Sequence, residues 1–377
     1  MERLPVTWSE RFTRFFFSTS EEVNRAWMER MAAYRRLLDE TGLADCCVEL
    51  MEPVEAPLEH LRWVHDEEYL EMLVEADRLP APVTIDYGDT RAYPGFLRDV
   101  LLLVGGEERL LDRLVESGRP AGYQPFGGLH HAARRRAGGF CPVNDIAVLI
   151  EYARRRYGWS RFAVIDIDVH HGDGTQSIYW EDPTVLTISF HGYAPGFYPG
   201  TGKYDELGGG DARGTKLNVP LPPGTGDRAF LEVFERLVPE ALRIYKPRLI
   251  VAQMGVDGHR DDPLGVLMLT TTSYYNAARI LRNTAEELGA KLVALGGGGY
   301  GPRAARAMIA ETVGLLGGMD RLPGGVAERV RSLMDPEPTS DPPDRVERLR
   351  ELADLLLEKL EEAVSRLEGL GEEDQYV

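Results

Sequence analysis

The chain has 377 residues, 43% of them hydrophobic, enough for a substantial core in one large α/β domain or two smaller ones. Its formal charge of −18 argues against a general nucleic-acid binder, whose phosphate contacts need a basic surface, and favours a neutral or cationic substrate. No apolar stretch is long enough to span a bilayer, Met1–Ser20 lacks a signal-peptide core, and three cysteines, two adjacent at Cys46 and Cys47, cannot make a disulfide framework. A cytoplasmic protein without membrane attachment is expected.

Charged and apolar residues at helical spacing over 20–40 predict a helix that stops at Gly42. Strands are predicted at 122–126, 162–168, 185–190, 249–254 and 291–295, with helices over 145–157, 228–245 and 272–288 between most of them. This alternation predicts an α/β fold, an open parallel sheet sandwiched by helices, with ligands beyond the carboxyl ends of the strands. His130 and His131 follow the first of these strands, Asp168 and His170 the second, Asp257 the fourth and Tyr300 the fifth. One site built from four loops implies one catalytic domain, residues 1–333. The Pro- and acid-rich segment 334–344 reads as a linker. Beyond it Val346, Leu349, Ala353, Leu356, Leu360, Ala363 and Leu367 give residues 345–377 the apolar seam of an amphipathic helix. About three heptads favour packing on its own domain; assembly of a homo-oligomer through this helix is the alternative.

The stretch Ile165–Gly174, IDIDVHHGDG, places Asp166, Asp168, His170, His171 and Asp173 at the end of an apolar run. Alternation along a strand would put Asp166, Asp168 and His170 on one face, where a carboxylate and an imidazole can converge on a divalent metal. Five of the eight histidines, His130, His131, His170, His171 and His191, lie near predicted strand ends. Asp166 and Asp173 can orient imidazoles, because a histidine acting as base or ligand needs its second nitrogen fixed by an acceptor. Asp257, straight after an apolar run, completes with Asp168 and His170 a set of two oxygens and one nitrogen. Three protein ligands leave a position open for water, as in catalytic zinc sites, and the set also suits iron(II). The run Gly296–Gly299 before Tyr300 lacks the Lys-Ser/Thr of a phosphate loop. Its glycines instead let the backbone approach the site and present a tyrosine hydroxyl to the oxygen of a tetrahedral intermediate.

With GGLHHA, GFCPVND, IDIDVHHGDG, FYPGTG, GVDGHRDDPLG and LGGGGY in order between Gly122 and Pro302, the chain resembles the zinc-dependent histone deacetylase family, in particular its acetoin-utilization-protein-like bacterial and archaeal members. The resemblance implies the arginase/deacetylase fold, with Asp168, His170 and Asp257 as zinc ligands. It implies His130 and His131 as tandem catalytic histidines bonded to Asp166 and Asp173, and Tyr300 as the tyrosine that polarises the carbonyl. Gly139, Phe140, Tyr198 and Leu264 match the wall of a narrow acyl-lysine tunnel, Asp89 its rim, and Arg30 the arginine beneath the metal. Asp166, Asp168, His170, Ser189 and Phe190 match a structural potassium site. The implied reaction is hydrolysis of an acyl-lysine amide, with His131 moving the water proton to the leaving amine and His130 mainly electrostatic. Where the family carries a His-Pro motif ahead of that arginine, this chain has Asn24-Arg-Ala-Trp-Met-Glu-Arg30, so a reshaped tunnel foot and an altered acyl preference are expected.

Three other readings compete. An acetylpolyamine amidohydrolase would suit the acidic surface, but the tyrosine and aspartate motifs look like the protein-deacylase side of the superfamily. A two-manganese arginase needs more bridging carboxylates than the chain offers. A non-catalytic relative is disfavoured by the presence of every expected catalytic residue.

Overall fold

The computed structural model describes residues 3–373; positions 1, 2 and 374–377, at the ends of the expected catalytic domain and carboxy-terminal helix, lie outside it. The strands are β1 (Leu4–Thr7), β2 (Val48–Met51), β3 (Val83–Thr84), β4 (Arg91–Ala92), β5 (Ala121–Gln124), β6 (Phe162–Asp166), β7 (Val185–Gly192), β8 (Lys216–Leu221), β9 (Leu249–Gln253) and β10 (Lys291–Leu295). Eight of them form one sheet in the order β2-β1-β5-β10-β9-β6-β7-β8, every neighbouring pair parallel, and β3 pairs with β4 as a small hairpin. Every residue of β6 and β9 is buried, as expected of central strands covered on both faces.

The helices are α1 (Glu21–Thr41), α2 (Leu43–Cys46), α3 (Glu67–Asp77), α4 (Phe96–Ser117), α5 (Asp145–Tyr157), α6 (Asp173–Ile178), α7 (Asp227–Tyr245), α8 (Thr271–Leu288), α9 (Ala304–Leu315), α10 (Gly324–Arg331) and α11 (Pro343–Glu373). One packed row runs through α3, α4, α5 and α6, another through α1, α9, α8, α7 and α11. α1 starts where the Ser20 side chain accepts the Val23 N–H and stops at Gly42, whose φ of 81° ends the helix in a left-handed turn. None of the described helices is long and apolar enough to cross a membrane.

Consecutive segments do not occupy consecutive places in the sheet. After β5 the chain crosses to lay down β6, β7 and β8, then returns to insert β9 and β10 into the gap. The four strands whose loops were expected to carry the site, β5, β10, β9 and β6, are therefore immediate neighbours.

The carboxy-terminal seam is used within the chain: Val346, Leu349, Ala353, Leu356, Leu360 and Ala363 are buried, with α11 lying on α7. That burial leaves the same residues unavailable for a homo-oligomeric coiled coil. Nor does segment 334–344 run free of the body. Asp341 accepts the N–H groups of Gly226 and Ala229 at 2.9 Å each, capping α7, and Thr339 bonds Asp227. Two of the acids that suggested a linker, Asp335 and Asp341, are buried and accept backbone N–H groups. Cys46 and Cys47 are joined to each other; a link between adjacent residues closes no loop between elements and is no framework.

Candidate active site

The site lies in the crevice beyond β5, β10, β9 and β6. Asp168, His170 and Asp257 bring their ligand atoms within 4.8 Å of one another. His170 Nδ1 is 3.1 Å from Asp168 Oδ1 and 3.2 Å from Asp257 Oδ2. The other oxygen of each carboxylate is held by the protein: Asp168 Oδ2 accepts from Gln253 Nε2 at 2.8 Å and from the Gly298 N–H at 2.9 Å, and Asp257 Oδ1 accepts the Val169 N–H at 2.8 Å. One oxygen of each is thus turned toward the imidazole, the donor arrangement that a single divalent cation needs. The electrostatics point the same way. Burial and the adjacent Asp168 push Asp257 up to about 7, and a cation between the two carboxylates would relieve that repulsion.

Asp166 takes a different place from the one that strand alternation suggested. β6 ends at Asp166, and the chain then turns, with the Asp168 N–H donating to Asp166 Oδ1 and the His170 N–H to Asp168 Oδ1. The turn sends Asp166 to His130, whose Nδ1 lies 2.7 Å from Asp166 Oδ2. His131 makes the parallel pair, Nδ1 to Asp173 Oδ1 at 2.6 Å, and the two imidazoles meet Nε2 to Nε2 at 3.0 Å. With both Nδ1 atoms donating to carboxylates, that last contact needs one protonated and one bare nitrogen. Burial lowers the pKa of His130, but Asp166 and Asp168 outweigh it and bring it to about 9. Burial and the neighbouring His130 lower His131 to about 4. His130 is thereby the donor and His131 the acceptor, a neutral imidazole beside the metal-type cluster.

A cavity of about 320 Å³ reaches this cluster, and His130, His131, Tyr300, Gly139, Phe140, Tyr198, Leu264 and Asp89 all line it. Gly139 has φ +55°, and a Cβ there would lie 2.2 Å from His131 Cδ2, so the close approach of this wall to the imidazole requires glycine. The next residue, Phe140, is itself left-handed at φ 66°, rare for a bulky side chain, and its ring meets Tyr300 edge to face at 6.0 Å. The glycine run does what was expected of it: a Cβ on Gly298 would lie 2.3 Å from Asp257 Oδ2. At the mouth, burial and the adjacent Asp86 raise Asp89 to about 6.

Arg30 does not line the cavity. Its guanidinium donates to the Gly297 and Gly298 carbonyls at 3.0 and 2.7 Å, behind the loop, and Trp27 supplies the wall instead. Of the residues matched to a potassium site, Ser189 sits opposite Asp166 in the sheet but bonds His191 Nδ1 at 3.0 Å, and the Phe190 ring packs against Phe230 and Phe234.

Several functional contacts were not foreseen. Phe197 stacks on His170 with centroids 5.2 Å apart; its place beside Tyr198 in FYPGTG was the available signal. Asp262, in the same motif as Asp257, accepts the Tyr300 and Gly301 N–H groups at 2.6 and 2.9 Å and so aims the tyrosine. Gln253 and Trp27 carry no sequence signal, because an amide or an indole near an apolar run reads as ordinary core.

Known proteins resemble the chain over most of its length. The histone deacetylase domain model matches residues 25–316. Acetoin utilization protein AcuC of Bacillus subtilis is 37% identical over 259 residues, 67% of this chain and 67% of that protein. A probable deacetylase of Archaeoglobus fulgidus is 36% identical over 282 residues, 72% of this chain and 75% of the relative. Chloroplastic histone deacetylase 14 of Arabidopsis thaliana is 34% identical over 278 residues, 71% of this chain and 65% of the relative. The crystal structure of the HDA15 HD domain aligns with 97% of this chain and 99% of its own at a TM-score of 0.76 and 26% identity. With the ordered motifs, the parallel sheet and these matches in agreement, the chain belongs to the histone deacetylase family.

Proposed function

We propose that this protein is a lysine deacylase, an amidohydrolase that removes acetyl or another acyl group from lysine side chains of proteins or peptides by metal-activated water. The observation that carries the reading is the convergence of Asp168, His170 and Asp257 with the His130–His131 pair and Tyr300 on one cavity. Asp168, His170 and Asp257 would hold the divalent cation, zinc or iron(II), and such a cation acidifies water and polarises a carbonyl. The chain's own groups then have separate tasks. Neutral His131, fixed by Asp173, accepts a proton from water through Nε2 once the bound water replaces the His130 contact there, and returns it to the leaving amine. His130, charged and held by Asp166, stabilises negative charge. The Tyr300 hydroxyl donates to the developing oxyanion, and Phe140, Tyr198 and Leu264 exclude water from the lysine stem. A potassium ion on Asp166, Asp168, His170, Ser189 and Phe190 belongs to the same reading, as does Asp89 as acceptor for substrate amides at the mouth.

Trp27 in the wall, where Arg30 was expected, favours an acyl preference other than simple acetyl. The charge of −18 favours a second reading, hydrolysis of acetylated polyamines, whose amines are cationic. Zinc- or iron-reconstituted protein assayed against a panel of acyl-lysine peptides and acetylated polyamines separates the two. Turnover of at least one acyl-lysine above every polyamine is the expected result, the reverse order assigns the polyamine activity, and equal rates across all acyl groups would remove the role given to the tunnel foot.

A further inference from the structure

The family match ends at residue 316, yet a carboxylate beyond it clamps two loops of the site together. Asp335 follows α10, and its side chain is 1% exposed. It accepts from His259 Nε2 at 3.0 Å, Arg260 Nη2 at 3.1 Å, the Thr271 N–H at 3.1 Å and the Arg303 guanidinium, while its own N–H donates to Thr271 Oγ1 at 2.8 Å. His259 Nδ1 in turn accepts the Asp261 N–H at 3.2 Å, so Nε2 carries the hydrogen and only one tautomer satisfies both bonds.

The positions of these donors matter. His259 and Arg260 stand two and three residues after Asp257, on the loop that follows β9. Arg303 stands three residues after Tyr300, on the loop that follows β10, and it also reaches Asp261 at 3.3 Å. Asp262 already ties the same two loops through the Tyr300 and Gly301 N–H groups. Asp335 adds a second tie across that junction, between His259 and Arg260 on one loop and Arg303 on the other. Burial raises its pKa, but the Thr271 amide, His259 and Arg303 outweigh this and hold it near 2, which keeps the clamp ionised.

We infer that Asp335 is a positioning residue which, on the deacylase reading above, holds the Asp257 loop and the Tyr300 loop in the one relative placement that lets ligand and phenol face the same carbonyl. The segment following the family domain is thus part of the working site. Groups bonded directly behind metal ligands commonly change metal affinity or activity by about 10–100-fold when removed; Asp335 acts one step further back, through His259 and Arg260 beside Asp257, so the lower end of that range applies. Asp341 provides a matched comparison, since it is buried in the same segment and caps α7 without touching either loop.

The test compares Asp335→Asn, Asp341→Asn and Arg303→Gln with the parent protein. It reads kcat and KM on the best acyl-lysine peptide, Zn²⁺ affinity by chelator competition, and hydrogen exchange of residues 255–262 and 297–303 in the metal-free protein. Asp335→Asn is expected to lower kcat about tenfold or more with KM changed less than about threefold, to weaken Zn²⁺ about tenfold, and to speed exchange in both loops. Asp341→Asn is expected to lower the melting temperature comparably while leaving all three readouts near the parent. Arg303→Gln, at a side chain 36% exposed, is expected to lower kcat without weakening Zn²⁺. If Asp335→Asn behaves like Asp341→Asn, or exchange in the two loops is unchanged, the inference is overturned. If the parent neither binds Zn²⁺ nor cleaves any acyl-lysine, the deacylase reading fails, and the exchange data alone then decide whether Asp335 couples the loops.

Discussion

Replacing Tyr300 by phenylalanine removes one oxygen and leaves the ring where it is, between Trp27 and Phe140 at 6.0 Å each. The backbone bonds that aim the residue come from Asp262 to main-chain N–H groups, so they survive the change. What is lost is a donor needed where negative charge develops on the carbonyl oxygen. Removal of such a donor typically costs about 10²–10³ in kcat, roughly 3–4 kcal/mol. Tyr300→Phe is therefore expected to reduce kcat about a hundredfold with little change in KM, measured by steady-state kinetics on an acyl-lysine peptide. Turnover near that of the parent would mean that the phenol is only a wall of the cavity. The neighbouring residues differ in how far sequence exposed them: Tyr300 stood out because four glycines precede it, whereas Asp335 and Asp262 act on backbone and second-layer groups and looked like loop acids. Their value exists only once β9 and β10 are side by side.

Elements were legible in the sequence where hydrophobic pattern and burial coincide. The five central strands are buried throughout or nearly so, and each was placed within two residues of its observed ends. The edge strands β2 and β8, and β1 next to β2, were not foreseen, and the cause is chemical. β8 is Lys-Leu-Asn-Val-Pro-Leu, in which Lys216 is buried with Nζ donating to the Asp182 carbonyl at 3.1 Å and Asn218 donates to Gln176 at 2.7 Å. Such polar residues signal a loop until their partners are known. A junction between helices was equally hidden. Glu107 of α4 is buried beside Asp145, which opens α5 and accepts the Gly128 and Leu129 N–H groups at 2.9 and 2.7 Å ahead of His130. Burial and the neighbouring Asp145 hold Glu107 well above the usual carboxyl range, so the folded protein keeps its proton to higher pH than the unfolded chain does. The unfolded chain releases that proton above about pH 4.3. Stability from this group is therefore complete below that value and declines as pH rises toward the folded pKa. Glu107→Gln cannot release a proton in either state. Its melting temperature relative to the parent should consequently be higher at about pH 8.5 than at about pH 5. A difference independent of pH would show that Glu107 is ionised in the folded protein.

Across the whole molecule, folding gathers negative charge that composition reveals only as a total of −18. Asp168 and Asp257, 89 positions apart in sequence, are brought into one buried cluster at 2% and 1% exposure. Holding them together costs free energy, part of which His170 offsets: burial lowers its pKa, and bonding to the two carboxylates outweighs that and lifts it to about 10. A divalent cation held by this cluster would bind the folded arrangement and not the unfolded chain, and would stabilise the protein in proportion to the logarithm of its concentration over Kd, by about 4 kcal/mol at a thousandfold excess. Zinc is accordingly expected to raise the melting temperature and a chelator to return it. Asp257→Asn divides the two effects. With one buried charge removed, the metal-free variant should melt at or above the metal-free parent, since the repulsion with Asp168 is gone. The same variant should lose most of the zinc-dependent rise, because an amide is a poor substitute for a carboxylate ligand. Thermal scans of both proteins with and without zinc give the four midpoints required. A metal-free variant that melts well below the parent would show that the Asp257 charge serves the fold through its pairing with His170, and an undiminished zinc response would place the cation elsewhere.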